Sequence, residues 1–173
     1  MKTEVRISGL GGQGVVSAGQ ILGRAAVYDG KNAVQTQSYG AEARGSAAKS
    51  EVIISDNKIG FPAVRKCDVL VAMSQEALDK YVKDLRKNGV LIVDSTYVKK
   101  IPKTKICKKI PATEEAEKIF KAKMYANMLI LGALTKIIGI SEKAVERAIE
   151  DTLAKKVVNT NKKACRRGRD LPQ

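Results

Sequence analysis

The residues of this chain that could do chemistry are few, and the first group is a cluster of glycines. Residues 7–20 read ISGLGGQGVVSAGQ, and Gly9, Gly11, Gly12, Gln13 and Gly14 fit the spacing G-x-G-x-x-G. The cluster follows an apolar strand pattern and precedes a helical one, the setting in which backbone amides at a helix N-terminus receive a pyrophosphate. A dinucleotide site also needs an acid at the end of the second strand, to hold the ribose. There the chain reads Val34-Gln35-Thr36-Gln37, with Asp29 too early and Glu42 too late. Three uses stay open: a turn that lets another chain approach, an anion held at an interface, or a nicotinamide dinucleotide site without its acid. The second group is Ser38-Tyr39-Gly40-Ala41-Glu42-Ala43-Arg44-Gly45-Ser46. Glu42 and Arg44, framed by Gly40 and Gly45, could present an ion pair or an arginine fork outward. The same spacing also describes a solvated loop with a weak local contact.

What is missing narrows the choice. The chain has no histidine, which removes the commonest general base, the Ser-His and Cys-His pairs, and the commonest metal ligand. Cys67, Cys107 and Cys165 are odd in number, widely spaced and without a CxxC. They read as packing residues and not as a disulfide framework, zinc site or cluster site. Neither a catalytic residue nor a metal ligand is expected in this chain.

Positioning falls to an alternation of strands and helices. Glu4 to Ser8, Asn32 to Gln37 and Ala47 to Ser55 alternate like strands, while Asp68 to Ala72 and Val90 to Val93 are continuous apolar runs of the kind buried in a parallel sheet. Lys105 to Ile110 is a last short strand. Val15 to Tyr28 is a helix rich in small residues. A second helix runs from Ser74, its N-cap, to Lys87, with Asn88-Gly89 as its stop. From Thr113 the chain is helical in three stretches, and Arg166 to Arg169 is expected to fray. The fold class is α/β, a Rossmann-like sandwich with a mixed, partly parallel sheet and C-terminal helices.

Length and composition suit one domain over residues 1–173, with 44 % hydrophobic residues. The longest apolar run, Met128 to Leu134, is far short of a membrane span, and no signal-like segment opens the sequence. A cytoplasmic protein with no membrane contact is expected. The net charge of +14 is uneven: 19 Lys/Arg stand against 8 Asp/Glu from Lys99 onward, and 13 against 10 before it. Such a balance raises nucleic acid as a partner. With five Tyr, two Phe and no Trp there is little to stack on bases, so nucleic acid is not the expected partner.

Taken in order, GLGGQGVVSAGQILGRAA, VQTQSYGAEARGSAAKSEVIIS, IGFPAVRKCDVLVAMSQEALDKY, GVLIVDST and NMLILGAL resemble the gamma subunit of 2-oxoacid:ferredoxin oxidoreductases. The likeness runs from Val5 to the closing Asn161, Ala164 and Gly168. It departs at Ala41 and Ser46, where the family's loop usually has Pro and Gly, and at Cys165, where an aromatic is common. The resemblance implies a complex converting a 2-oxo acid, coenzyme A and oxidised ferredoxin to acyl-CoA, carbon dioxide and reduced ferredoxin. Thiamine diphosphate, Mg2+ and iron–sulfur clusters would belong to alpha, beta and delta subunits, so this chain binds none of them alone. Its own role would be scaffolding and shaping the approach of coenzyme A. The resemblance assigns Gly9, Gly11, Gly12, Gln13 and Gly14 to a loop facing cofactor or partner, and Tyr39, Gly40, Glu42, Arg44 and Gly45 to an interface loop. The loop wording favours 2-oxoglutarate as the oxo acid. A free-standing NAD(P)-binding oxidoreductase and a basic nucleic-acid-binding protein are the rival classes.

Overall fold

In the computed structural model, which describes residues 1–39, 47–104 and 106–171, a six-stranded sheet carries helices on both faces. Its strands are β1 (Lys2–Leu10), β2 (Asn32–Ser38), β3 (Ala47–Ser55), β4 (Cys67–Ala72), β5 (Leu85–Asp94) and β6 (Ile106–Ile110), in the order β2-β3-β1-β4-β5-β6. β1, β4, β5 and β6 run parallel, and β3 is antiparallel to both β1 and β2. The expected mixed, partly parallel α/β sandwich is what forms.

The two faces follow from the period-2 pattern of the strands. Val5 and Ile7 of β1, Val52 and Ile54 of β3, and Val69 and Val71 of β4 point to one face. There they meet α1 (Val15–Tyr28) and α4 (Ala126–Ile138). Outside these lie α5 (Glu142–Thr152), against α1, and α6 (Lys155–Asp170), against α4. On the other face Ile53, Leu70, Ala72 and Leu91 meet α2 (Gln75–Tyr81). The remaining helix, α3 (Ala112–Phe120), follows β6. The cap expected at Ser74 forms, accepting from the Ala77 amide at 3.1 Å, and Ser141 caps α5 in the same way, accepting from the Ala144 amide at 3.2 Å.

The three helical stretches expected from Thr113 are four helices among the described residues, α3 to α6, and two further expectations fail. The helix expected to run from Ser74 to Lys87 stops at Tyr81, a 3-10 turn covers Val82–Asp84, and Leu85 opens β5. Parallel pairing with β4 overrides helix propensity there, because Leu85 lies opposite Cys67 and Val90 opposite Val69. The surplus residues of β5 make a bulge, and Asn88-Gly89, expected to end the helix, lies inside it. A Cβ on Gly89 would sit 2.8 Å from the Asp68 carbonyl, so glycine is what the bulge requires. The second failure is the tail: Arg166 to Arg169, expected to fray, lie in α6, which continues to Asp170. Gly132 of α4 and Gly168 of α6 let these helices cross so closely that a Cβ on either would overlap the other helix's backbone, and this contact holds the end of α6 in place.

Candidate functional site

The glycine loop leaves the C-terminal end of β1 at a point where the sheet changes sense, with parallel β4 on one side and antiparallel β3 on the other. Ligands gather at such switch points in open α/β sheets. The loop is closed from within. Gln13 accepts from the Leu10 amide at 2.7 Å and donates through Nε2 to the Met73 carbonyl at 3.0 Å, while its own amide bonds to the Leu10 carbonyl at 3.1 Å. Both ends of the Gln13 side chain are thus spent, one on closing the turn at the end of β1 and one on tying the loop to Met73, just past β4.

The glycines divide by role. Gly12 and Gly14 adopt φ of 89° and 74°, a region that suits glycine. A Cβ on Gly14 would also overlap the Asn127 side chain, whose Nδ2 donates to the Gly14 carbonyl at 3.2 Å. That bond latches the start of α1 to the start of α4. Gly11 has nothing within 4 Å of a would-be Cβ and no positive φ, so neither strain nor crowding demands glycine there. Gly11 and Gly12 are exposed, bare backbone turned outward.

They face a cavity of about 310 Å³, shared with Met73, Tyr97, Thr113, Lys123 and Met124. Lys123 is its cation. The Tyr97 hydroxyl, and after it the nearby Glu117 carboxylate, hold the Lys123 ammonium above its usual range, so it stays charged at neutral pH. The far wall is fixed by Asp94 at the end of β5. Asp94 is fully buried and accepts from the Thr113 hydroxyl at 2.5 Å and the Thr96 amide at 3.1 Å. By type and spacing alone neither Asp94 nor Lys123 nor Asn127 stands out in the sequence. The signal available was position, since Asp94 follows directly on an apolar run of the kind buried in a parallel sheet.

The expected interface loop begins at the same end of the sheet. Tyr39, 64 % exposed, follows the end of β2. Ala47, where β3 begins, is paired with Leu10, one strand from the glycine loop. Gly40, Glu42, Arg44 and Gly45 lie outside the described residues.

Topology bears directly on the dinucleotide reading. The strand beside β1 that should end in the ribose-binding acid is replaced by antiparallel β3, and Ala48 and Ala47 stand opposite Gly9 and Leu10. β2 is a further strand away. The place where a ribose hydroxyl would find its acid is therefore the start of a strand, occupied by alanines.

Cys67 and Cys165 belong to opposite faces of the sheet, and burial pushes their thiols up to about 11 and about 12. Cys107, half-buried, is also shifted upward by burial. Neutral thiols packed in separate places do not fit the ligand set of an iron–sulfur cluster. Among the described residues no three His, Cys, Asp or Glu side chains come together to hold a metal ion. Among them, too, no helix is long and apolar enough to cross a membrane. A few cations of the basic second half are paired internally: Arg166 with Glu142 and Glu146, Arg167 with Glu115 and Lys162 with Glu150.

Comparison with known proteins decides the family. Residues 4–171 match the pyruvate ferredoxin/flavodoxin oxidoreductase family. The chain belongs to that family. It is 48 % identical to the 2-oxoglutarate synthase subunit KorC of Methanocaldococcus jannaschii, over 99 % of this chain and 94 % of that one. Its fold superposes on a keto/oxoacid ferredoxin oxidoreductase gamma subunit from Geobacter sulfurreducens with a TM-score of 0.85 and 44 % identity, covering 96 % and 95 % of the two chains. A 2-oxoglutarate:ferredoxin oxidoreductase from Magnetococcus marinus shares the fold at a TM-score of 0.86 and 24 % identity. There the likeness takes in 97 % of this chain but 30 % of the other, so the gamma-type fold is one part of a longer polypeptide. The resemblance read from the ordered motifs is thus borne out at the level of the family.

Proposed function

We propose that this chain is the gamma subunit of a 2-oxoglutarate:ferredoxin oxidoreductase, which forms succinyl-CoA and carbon dioxide with reduction of ferredoxin. The observation that carries the reading is near full-length identity of 48 % to a 2-oxoglutarate synthase subunit. The chain's own chemistry is consistent with a dependent role, since histidine is absent and its cysteines are buried or half-buried neutral thiols. Thiamine diphosphate, Mg2+ and the iron–sulfur clusters would be held by alpha, beta and delta partners.

In this reading the cavity under Gly11 and Gly12 is where the chain meets coenzyme A or a partner's cofactor edge. Exposed glycine backbone at the start of the 14-residue helix α1, with the Lys123 ammonium opposite, favours a phosphate group. Gln13 serves this wall indirectly, by setting the loop. Tyr39 and the loop after it would contact the partner that closes the same end of the sheet.

The test is native affinity purification of the tagged chain from its source cell in moderate salt, with mass spectrometry of what is retained. Recovery of a thiamine-binding alpha/beta pair and a ferredoxin-like chain is the expected result. Recovery of the chain alone, or with nucleic acid, would overturn the proposal.

A further inference from the structure

The opposite end of the sheet displays side chains that a lone subunit would bury. Between β3 and β4, Gly60, Phe61, Pro62 and Ala63 are all exposed, Phe61 to 57 %. The stretch is pinned on both sides. Ile59 packs against the α2-side core, Val64 is buried in that core, and the Val64 carbonyl accepts from Arg6 Nη2 at 3.0 Å. An aromatic ring held outward on an anchored segment has already lost the freedom that docking would otherwise cost. Phe and Arg are also residue types favoured at the centres of interfaces.

Beside the ring lies a cavity of about 510 Å³ whose cations are Lys2, Arg65, Lys66 and Arg86. Most are committed. Lys2 and Arg86 pair with Glu4, Arg86 pairs also with Asp68 at 2.5 Å, and Lys66 lies 3.8 Å from Asp84. Arg65 stacks its guanidinium over the Phe61 ring at 5.5 Å, and among the described residues it has no carboxylate partner. The face therefore offers an apolar knob and one uncommitted cation.

We propose that this end of the sheet is a second docking face, which enters an apolar socket on a partner subunit whose rim supplies a carboxylate to Arg65. The inference rests on the gamma-subunit reading. It adds that the chain is gripped at both ends, by the glycine-loop side and by the Phe61 side. Charge selects this occupant. A polyphosphate or nucleic acid would find one free cation there among the described residues, the others being held by Glu4, Asp68 and Asp84, and a second copy would bring another Arg65 against the first.

The experiment compares tagged wild-type chain with Phe61→Ala, Arg65→Glu and Arg65→Lys, each purified from the source cell with its bound subunits. Thermal melts of the isolated variants serve as the control for folding. Phe61 and Arg65 are exposed, so unchanged melts are expected. Phe61→Ala and Arg65→Glu should each retain roughly tenfold less partner subunit, while Arg65→Lys keeps most of it at low salt. Retention by Phe61→Ala and Arg65→Glu at the wild-type level overturns the docking face and leaves the gamma reading intact. Failure of the wild-type chain itself to retain a thiamine-binding pair overturns the gamma reading instead. Concentration-dependent dimerisation of the wild-type chain that Phe61→Ala abolishes would also overturn the proposal.

Discussion

At the C-terminal ends of β1 and β4 the chain is fixed by neutral hydrogen bonds and glycine geometry, whereas towards their N-terminal ends it is fixed by charge. Gln13 and Asn127 bind main-chain groups around the glycine loop. In the other half Arg6, 3 % exposed, bridges Glu51 and Asp84, and Glu4 joins Lys2 and Arg86. A loop that must receive an anion or a partner gains from carrying no fixed counter-charges of its own. A buried arginine has the converse requirement: unless its partners are supplied, its desolvation is uncompensated. The two ends should therefore respond differently to mutation and to pH.

The largest effect is expected at Arg6. Arg6→Leu leaves Glu51 and Asp84 without their shared partner and should cost about 3–5 kcal/mol by denaturant unfolding. A loss under about 1 kcal/mol would mean that the network is replaceable by apolar packing. Next is Gly14→Ala at the neutral end, which combines positive φ with overlap on Asn127. It should cost about 2–3 kcal/mol in the same assay. By contrast, Gly11→Ala should change stability by no more than about 0.5 kcal/mol. Any functional loss it caused would then report an approach to that bare backbone.

Acid sharpens the contrast further. Burial pushes the Glu4 carboxyl up, but the bonds from Lys2 and Arg86 outweigh it and hold the group below its ordinary value of 4.5. The stability it contributes is therefore complete above about pH 4.5 and is lost as pH falls below that value. Melts of Glu4→Gln between pH 6 and 3 should show a flatter acid dependence than wild type, on the scale of about one such ionisation. The smallest effect concerns the thiols: in the native protein an alkylating reagent should modify Cys107 and reach Cys67 and Cys165 only on unfolding, as peptide mapping would show.

The sequence made the neutral end more legible than the charged one. Four glycines and a glutamine at fixed spacing announce a strand–turn–helix, and alternation in Val5, Ile7, Val52 and Ile54 announces the sheet face beneath α1. No local pattern foretold that Arg6 would be buried, because its partners lie 45 and 78 residues away. The short α2 was hidden for a similar reason. Residues 82–87 have helical spacing, yet Val82–Asp84 form a 3-10 turn and pairing with β4 draws Leu85 onward into a strand. Lys123 was one lysine among many until the fold placed it across the cavity from Gly11. Gly40, Glu42, Arg44 and Gly45 stood out by type, and their part in an interface remains a proposal resting on position beside Tyr39.

The central claim is that this chain does no chemistry alone and is required by the subunits that do. It is tested most directly by following 2-oxoglutarate- and coenzyme A-dependent ferredoxin reduction in three samples: the chain alone, its partner subunits prepared without it, and the two recombined. The account predicts turnover in the recombined sample only. Full coenzyme A-dependent turnover by the partner subunits without this chain would contradict it.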